Sequence, residues 1–172
     1  MQGTLTTIKK GMNFILSRIA AFLLLTMTFL VLYQVFTRYV LNDPAGFTEE
    51  IVRYLLMWTG FIGAAYAFST RQHMALVFLR DKLEPAKKKV LVIFIDAVIL
   101  AFALFIMTVG GTSLAASASK EYSALLGIPR TLVYSMAPIS GVFIIIAQII
   151  NIWEDVTGIA IADEATDKGG NE

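Results

Sequence analysis

The stretch IAAFLLLTMTFLVLYQVFT, from Ile19 to Thr37, contains no charged side chain. A helix needs roughly 20 mostly apolar residues to cross the hydrocarbon core of a bilayer, and this stretch is close to that length. Backbone groups in lipid must find their hydrogen-bond partners within the chain, so an isolated run of this kind is expected to be helical. The stretch therefore predicts a transmembrane span.

Three more uncharged runs follow along the chain. They are Tyr54–Thr70, Ala97–Ser119 and Thr131–Trp153, and each is close to the length that a membrane-spanning helix needs. We therefore predict an all-α integral membrane protein with four transmembrane helices. The predicted spans cover about 14–37, 50–70, 89–112 and 130–153, and they form a single membrane domain over 1–156.

The overall composition agrees with a membrane protein. Of the 172 residues, 57% are hydrophobic and 16% are charged, whereas about 25% of a typical soluble domain is charged. The mean hydropathy is +0.71. The net charge of +1 gives no support for nucleic-acid binding. There is no cysteine, which excludes disulfides and thiolate metal sites.

The residues before the first span predict an N-terminal amphipathic helix over about 3–17. Its apolar residues recur at spacings of three and four and are Leu5, Ile8, Met12 and Ile15. We expect this helix to lie in the membrane interface and then to turn into the first span. The alternative is that the first span starts early. The long apolar run without a small-residue cleavage site predicts a retained anchor rather than a signal peptide.

Lysine and arginine predict the orientation. Ten of the 14 lie before the first span, between the second and third spans, or after the fourth. Cytoplasmic segments carry an excess of these residues, so both termini are expected in the cytoplasm, including an acidic and disordered tail over 157–172. The expected anchors to phospholipid and the interface are Lys9, Lys10, Lys87, Lys88, Lys89, Trp58 and Trp153. The hexapeptide MALVFL, residues 74–79, is expected on the inner leaflet or as an extension of the second span.

The sequence lacks the residue groups that an enzyme of a common class needs. His73 is the single histidine, which argues against a haem with two imidazole ligands and against a zinc hydrolase. There is no Walker glycine loop. We therefore predict no enzyme and no cofactor. For His73, an interface or structural role is favoured over proton transfer.

Asp96 is the ionisable residue within the third predicted span. Such residues are functional candidates because a charge in the bilayer is costly. Asp96 can pair with a neighbouring helix, which is the favoured interpretation, or it can bind a coupling ion. Its few polar companions, Gln34 and Gln148, are typical of contacts between helices.

The stretch FTEEIVRYLLMWTG, residues 47–60, places charges at the start of the second span. Thr48 is expected to cap the helix, with Glu49 and Glu50 in its first turn, where each acid contributes about 0.3–1 kcal/mol. Arg53 shares a face with both acids, and a partner that buries part of this cluster would account for the charges. Further along, Gly60 with Ala64 and Gly63 with Ala67 allow close approach of another helix, either a partner's or one of this chain's own.

Four motifs in this order resemble one known family. They are QVFTRYVLN, FTEEIVRYLLMWTGFIGAA, RQHMALVFL and GIPRTLVYSMAPISG, which begin at Gln34, Phe47, Arg71 and Gly127. Together they resemble the small membrane subunit, of the DctQ type, of tripartite ATP-independent periplasmic (TRAP) transporters. The resemblance covers roughly 34–148.

The resemblance implies a function in transport. In this family a periplasmic binding protein delivers a substrate, usually an organic acid anion, to a large and a small membrane subunit. The large subunit holds the substrate and sodium sites and is thought to move as an elevator. The small subunit is expected to scaffold and anchor it, without catalytic residues of its own.

We therefore predict the small subunit of a sodium-coupled transporter in the bacterial inner membrane, for a substrate such as sialic acid or a C4-dicarboxylate. The expected partners are the large membrane subunit, the periplasmic binding protein and phospholipid. The candidate interface or structural residues are Arg38, Glu49, Glu50, Arg53, Gly60, Gly63, His73 and Asp96. The alternatives are an autonomous small transporter or channel with Asp96 on the ion path, or the membrane anchor of a respiratory or other enzyme.

Overall fold

The computed structural model describes residues 2–43, 45–71 and 85–157, and these are nearly all helical. The first two helices are α1 (Gln2–Tyr39) and α2 (Gly46–Ser69). Next come α3 (Pro85–Phe102), a π-helical stretch (Ala103–Gly110), α4 (Gly111–Ser117) and a 3-10 turn (Ala118–Lys120). The last two helices are α5 (Arg130–Tyr134) and α6 (Met136–Thr157).

These elements form four spans that are long and apolar enough to cross a membrane, as predicted. The spans are Leu5–Tyr39, Gly46–Ser69, Val90–Lys120 and Arg130–Thr157. The third span is longer than predicted because it continues past residue 112 through α4 and the 3-10 turn. The predicted tail after Thr157, His73 and the hexapeptide at 74–79 lie outside the described residues.

The first helix differs from the prediction. We expected an interfacial helix that turns into the first span, whereas α1 is continuous over 38 residues, about 57 Å at 1.5 Å per residue. The cause is visible in the packing: Met12 and Leu16 belong to the core of the bundle and are 8% and 1% exposed. Part of the apolar stripe therefore packs on neighbouring helices and α1 does not turn before the first span, while a location of 3–17 in the membrane interface stays a prediction.

The core lies along the middle of the bundle and is made largely of small and medium-sized residues. α1 packs mainly against α2, and the fourth span packs against α2 and the third span. The buried core residues include Leu16, Leu23, Ile62, Ala65, Ala103, Met107, Ile144 and Ala147. Lipid is as apolar as these side chains, so close packing rather than removal from water stabilises the bundle in a membrane.

Two glycines bring the third and fourth spans to backbone distance. A Cβ added to Gly111 would lie 2.9 Å from the Cδ of Pro138, and one added to Gly141 would lie 2.8 Å from the Oγ1 of Thr108. The Thr108 hydroxyl donates to the carbonyl of Ala103, five residues earlier, within the π-helical stretch. This contact leaves no room for a larger side chain at either glycine.

The fourth span is interrupted at Ser135, between α5 and α6. Pro138 follows three residues later and has no N–H to donate to the carbonyl of Tyr134, so one helical hydrogen bond is missing there. The interruption thus lies within one helical turn of this proline. It also places Ala137 and Pro138 against Gly111 of the third span.

We expect Gly141→Val to destabilise the isolated chain by about 1–3 kcal/mol, because the added methyl groups overpack the contact with Thr108. Thermal unfolding of the purified protein in detergent measures the effect. Gly63→Val is the matched control, since a Cβ at Gly63 meets nothing within 4 Å and the cost of a β-branched residue in the helix is shared. Equal losses in the two variants would contradict the proposed close contact.

Candidate functional site

Buried polar side chains collect at one end of the bundle, where α1 and α3 begin and where α2 and α6 end. Arg71 lies at its centre, two residues past the end of α2, with a φ of 56°. Its Nη1 and Nη2 atoms donate to the two carboxylate oxygens of Asp155 at 2.8 and 2.9 Å. Nη2 also donates to the backbone carbonyl of Asn151 at 2.6 Å. We call this region the Arg71 end.

Asp96 of the third span also pairs with Arg71. Its Oδ2 atom lies 3.7 Å from Nη2 of Arg71, and its side chain is 6% exposed. This distance gives an ion pair without a hydrogen bond, because the two hydrogens of Nη2 already point at Asp155 and at the carbonyl of Asn151. Of the two alternatives raised for Asp96, pairing within the protein or binding of a coupling ion, this geometry corresponds to pairing, here with Arg71 just past the end of α2.

The same network reaches all four spans. Asn13 of α1 accepts a hydrogen bond from Ser69 of α2. The Nζ atom of Lys9 lies 2.8 Å from a carboxylate oxygen of Glu154. The amide of Asn151, which is fully buried, donates to the carbonyl of Phe68 and to the side chain of Gln148. Lys9 therefore pairs within the bundle, and its predicted role as an anchor to phospholipid stays a prediction.

The electrostatics keep Arg71 charged. Burial disfavours the charged guanidinium, but the hydrogen bonds and charge of Asp155, together with the charge of Asp96, hold the pKa of Arg71 above its usual range. The network thus contains a permanent cation between two buried carboxylates. Sequence reasoning used Arg71 for the orientation and as the start of a family motif, but it did not predict this pairing, because the partner Asp155 lies 84 residues away.

Glu50 organises the opposite end of the bundle. Its Oε1 atom accepts a hydrogen bond from the hydroxyl of Tyr54 at 2.8 Å, and Oε2 accepts one from the backbone N–H of Leu126 at 3.2 Å. The indole of Trp58 donates to the carbonyl of Val133 at 3.2 Å. Glu50 and Trp58 therefore connect α2 to the loop before the fourth span and to that span itself. We call this region the Glu50 end.

The start of α2 corrects one prediction. Thr48 does not cap the helix: α2 begins at Gly46 after Ala45, and the Thr48 hydroxyl donates back to the carbonyl of Ala45 at 2.6 Å. Thr48 is fully buried, so its side chain packs inside the bundle. Glu49 lies in the first turn as predicted, and Glu50 lies one residue beyond it.

Four other candidate residues, Arg38, Glu49, Arg53 and Gly60, are exposed, and Gly63 is half-buried. Glu49 and Arg53 form an ion pair at 3.5 Å with side chains 65% and 67% exposed. A Cβ added to Gly60 or Gly63 would meet nothing within 4 Å. Arg38 lies over the ring of Tyr39 at the end of α1.

The remaining predicted anchors differ in their surroundings. Lys10 is exposed and Trp153 is 51% exposed, and their anchoring role stays a prediction. The side chains of Lys87, Lys88 and Lys89 are outside what the structure describes. Over the described residues, no three or more His, Cys, Asp or Glu side chains are grouped so that they could hold a metal ion.

These features define a four-span α-helical membrane protein whose buried charges are paired with one another. Residues 14–158 match the sequence profile of a family described as "Tripartite ATP-independent periplasmic transporters, DctQ component". The match covers most of the chain, so the chain belongs to this family. It is accordingly a transporter subunit and not an enzyme.

Two curated relatives agree with the family. A protein named as a TRAP transporter small permease protein in Haemophilus influenzae is 30% identical over 122 residues, which cover 71% of this chain and 75% of the relative. The sialic acid TRAP transporter small permease protein SiaQ of Vibrio cholerae is 27% identical over 167 residues, which cover 95% and 96%. The chain is therefore similar to small permease subunits over nearly its whole length.

We expect Arg71→Gln to destabilise the isolated chain by about 3–5 kcal/mol, because it leaves the carboxylates of Asp96 and Asp155 buried without a cation. The deficit relative to the native chain should shrink as the pH falls, since protonation removes the repulsion between the two carboxylates. Thermal unfolding in detergent from pH 8 to pH 4 measures both effects.

Arg130→Gln is the matched control for this prediction. Arg130 pairs with Glu121 at 3.0 Å, but the two side chains are 47% and 57% exposed, so the loss is expected to stay below about 1 kcal/mol. A deficit of the Arg71 variant that is small, or that does not depend on pH, would contradict the role given to Arg71.

We expect Glu50→Gln to lower the midpoint of thermal unfolding more than Glu49→Gln does. The glutamine amide is neutral, so the hydrogen bonds with the Tyr54 hydroxyl and the Leu126 N–H lose the charge assistance that the carboxylate of Glu50 gives them. Glu49 forms an exposed ion pair with Arg53 and makes no such contact with the loop before the fourth span. Equal shifts in the two variants, measured side by side in detergent, would show that Glu50 does not hold the loop.

Proposed function

We propose that this chain is the small membrane subunit of a sodium-coupled secondary transporter that takes up an organic acid anion. The anion is delivered by a periplasmic binding protein to a large membrane subunit, and this chain scaffolds and anchors the large subunit. Family membership supports the place in such a complex. The relative named for sialic acid makes sialic acid the first substrate to test, followed by C4-dicarboxylates.

The observation that carries the scaffold role is the pairing of the buried charges. Of the described residues, the buried carboxylates are those of Asp96 and Asp155, and both contact Arg71 at one end of the bundle. The middle of the bundle is packed with apolar side chains. An ion path would need polar groups along the span, whereas a scaffold needs fixed helices, and this arrangement favours the scaffold.

The proposal includes a location and an orientation. The complex lies in the bacterial inner membrane with both termini, and therefore the Arg71 end, facing the cytoplasm. Lys10, Trp153 and the Lys87–Lys89 cluster anchor the chain to phospholipid on that side. Such anchoring resists lateral movement while the transport domain of the large subunit slides.

Reconstitution into vesicles with an imposed sodium gradient tests the function. We expect uptake of labelled sialic acid only when this chain, the large subunit and the binding protein are all present. The chain alone should give no uptake, and dissipation of the sodium gradient should abolish transport by the complete system. Uptake by the chain alone would favour the autonomous transporter.

Asp96→Asn separates the scaffold from the alternative with Asp96 on an ion path. In the scaffold, the variant weakens one ion pair, so the assembled complex should keep its dependence on sodium concentration. The amount of assembled complex, measured by co-purification, serves as the control. Loss of sodium dependence in a fully assembled complex would overturn the scaffold proposal.

A further inference from the structure

The carboxyl groups of Asp96 and Asp155 face each other inside the Arg71 end. Asp96 is 4% exposed and Asp155 is 6% exposed, and both lie against the guanidinium of Arg71. The two carboxyl groups are close enough for a hydrogen bond to form between them when one of them carries a proton. Two acids that face each other in a buried site do not readily ionise together, because their like charges repel.

The other charged groups around Asp96 do not neutralise this pair of acids. Lys9 of α1 and Glu154 of α6 form an ion pair of their own at 2.8 Å. Lys89 of α3 lies seven residues before Asp96, about 10 Å along the helix, and its side chain is outside what the structure describes. Among the described residues, Arg71 thus supplies one positive charge to two ionised acids, which leaves one negative charge in excess.

The hydrogen bonds of Asp96 show the same shortage. Its Oδ2 atom is buried and has no hydrogen-bond partner, although it lies 3.7 Å from Nη2 of Arg71. That nitrogen donates to Asp155 and to the carbonyl of Asn151 instead. A buried carboxylate oxygen without a donor is costly. A proton on Asp96 removes this cost, since the hydroxyl of the acid can donate to the carboxylate of Asp155.

We propose that Asp96 and Asp155 form a proton-binding site, in which Asp96 holds a proton and donates it in a hydrogen bond to Asp155. Asp155 remains the charged partner of Arg71 through its two hydrogen bonds. The proton neutralises the excess charge and joins the third span directly to the fourth. When the proton leaves at higher pH, Asp96 becomes an anion that pairs with Arg71 and repels Asp155. The inference does not depend on the proposed function, because it concerns contacts within the chain.

A proton suits this site better than a metal cation does. Calcium takes about 6–8 oxygen ligands, whereas in the described part of the chain no three His, Cys, Asp or Glu side chains lie together as metal ligands. The guanidinium of Arg71 also repels a metal cation between the two acids. A proton needs only the two carboxyl groups that already face each other.

The first test compares the pH dependence of thermal unfolding in detergent for the native chain and Asp96→Asn. An exposed aspartic acid loses its proton at about pH 4. The native chain therefore binds one more proton than the unfolded chain above that pH, until the site itself loses its proton, and its stability falls as the pH rises. Asparagine is neutral at every pH and still donates to Asp155.

Between pH 5 and pH 8.5 we expect the thermal midpoint of the native chain to fall by about 2–4 °C more than that of Asp96→Asn. Glu121→Gln is the matched control, because it removes an acid that is 57% exposed, and its midpoint should follow the native chain. Parallel curves for the native chain and Asp96→Asn would overturn the proposal.

The second test detects the proton by infrared spectroscopy of the purified chain at pH 6. Exposed aspartate and glutamate side chains are largely ionised at that pH, so the C=O stretching band of a protonated carboxyl group reports on the buried site. We expect the band in the native chain and in Glu121→Gln, and its loss at pH 8.5. Asp96→Asn and Asp155→Asn should each abolish the band, although each variant keeps one of the two acids.

The remaining outcomes separate a shared proton from two simpler sites. If the band persists in Asp155→Asn, burial alone protonates Asp96 and the shared site is wrong. If the native chain shows no band at pH 6 and its midpoint rises with sodium chloride but not with choline chloride, a metal cation holds the excess charge and the proposal is overturned. Asp155→Asn also loses the two hydrogen bonds to Arg71, so if it does not fold, the comparison of the native chain with Asp96→Asn decides.

Discussion

The contact of Arg71 with Asp155, Asp96 and the carbonyl of Asn151 determines how the second, third and fourth spans meet. In lipid there is little hydrophobic drive for helices to associate, so their arrangement depends on polar contacts and close packing. One guanidinium binds both carboxylate oxygens of Asp155 and lies within ion-pair distance of Asp96. Removal of this cation would leave two buried carboxylates side by side without a partner. The packing of the Arg71 end therefore depends on this one residue.

The packing of the third and fourth spans is consistent with the contacts at the Arg71 end. Those contacts hold the spans together at one end, and Gly111 and Gly141 allow the third and fourth spans to touch further along. The interruption at Ser135 and the proline after it fit the same contact. At the Glu50 end, the carboxylate of Glu50 accepts a hydrogen bond from the N–H of Leu126 in the loop before the fourth span. Polar contacts between helices thus lie at both ends of the bundle, and mostly apolar packing fills the middle.

The sequence predicted the four spans because the bilayer itself imposes their length and lack of charge. It predicted less well which side chains of a helix are buried and which other elements they contact. Glu49 and Glu50 are neighbours in sequence, about 100° apart around the helix, and only the fold decides that Glu50 contacts Leu126 while Glu49 remains exposed. Leu5, Ile8, Met12 and Ile15 suggested an interfacial helix, because the burial of Met12 against other spans has no local signal. The pairing of Arg71 with Asp155 is equally non-local, and sequence reasoning missed it.

The charged residues of the described chain fall into two sets that differ in burial and in what they contribute. Lys9, Asp96 and Asp155 have their charges compensated inside the chain, and these pairs join spans that are distant in sequence. Glu49 with Arg53 and Glu121 with Arg130 form exposed ion pairs, and such pairs contribute little even in water. A buried cation without its carboxylates would cost several kcal/mol, whereas loss of an exposed pair costs about 1 kcal/mol or less. The stability of the bundle therefore depends on the Arg71 end far more than on the number of ion pairs.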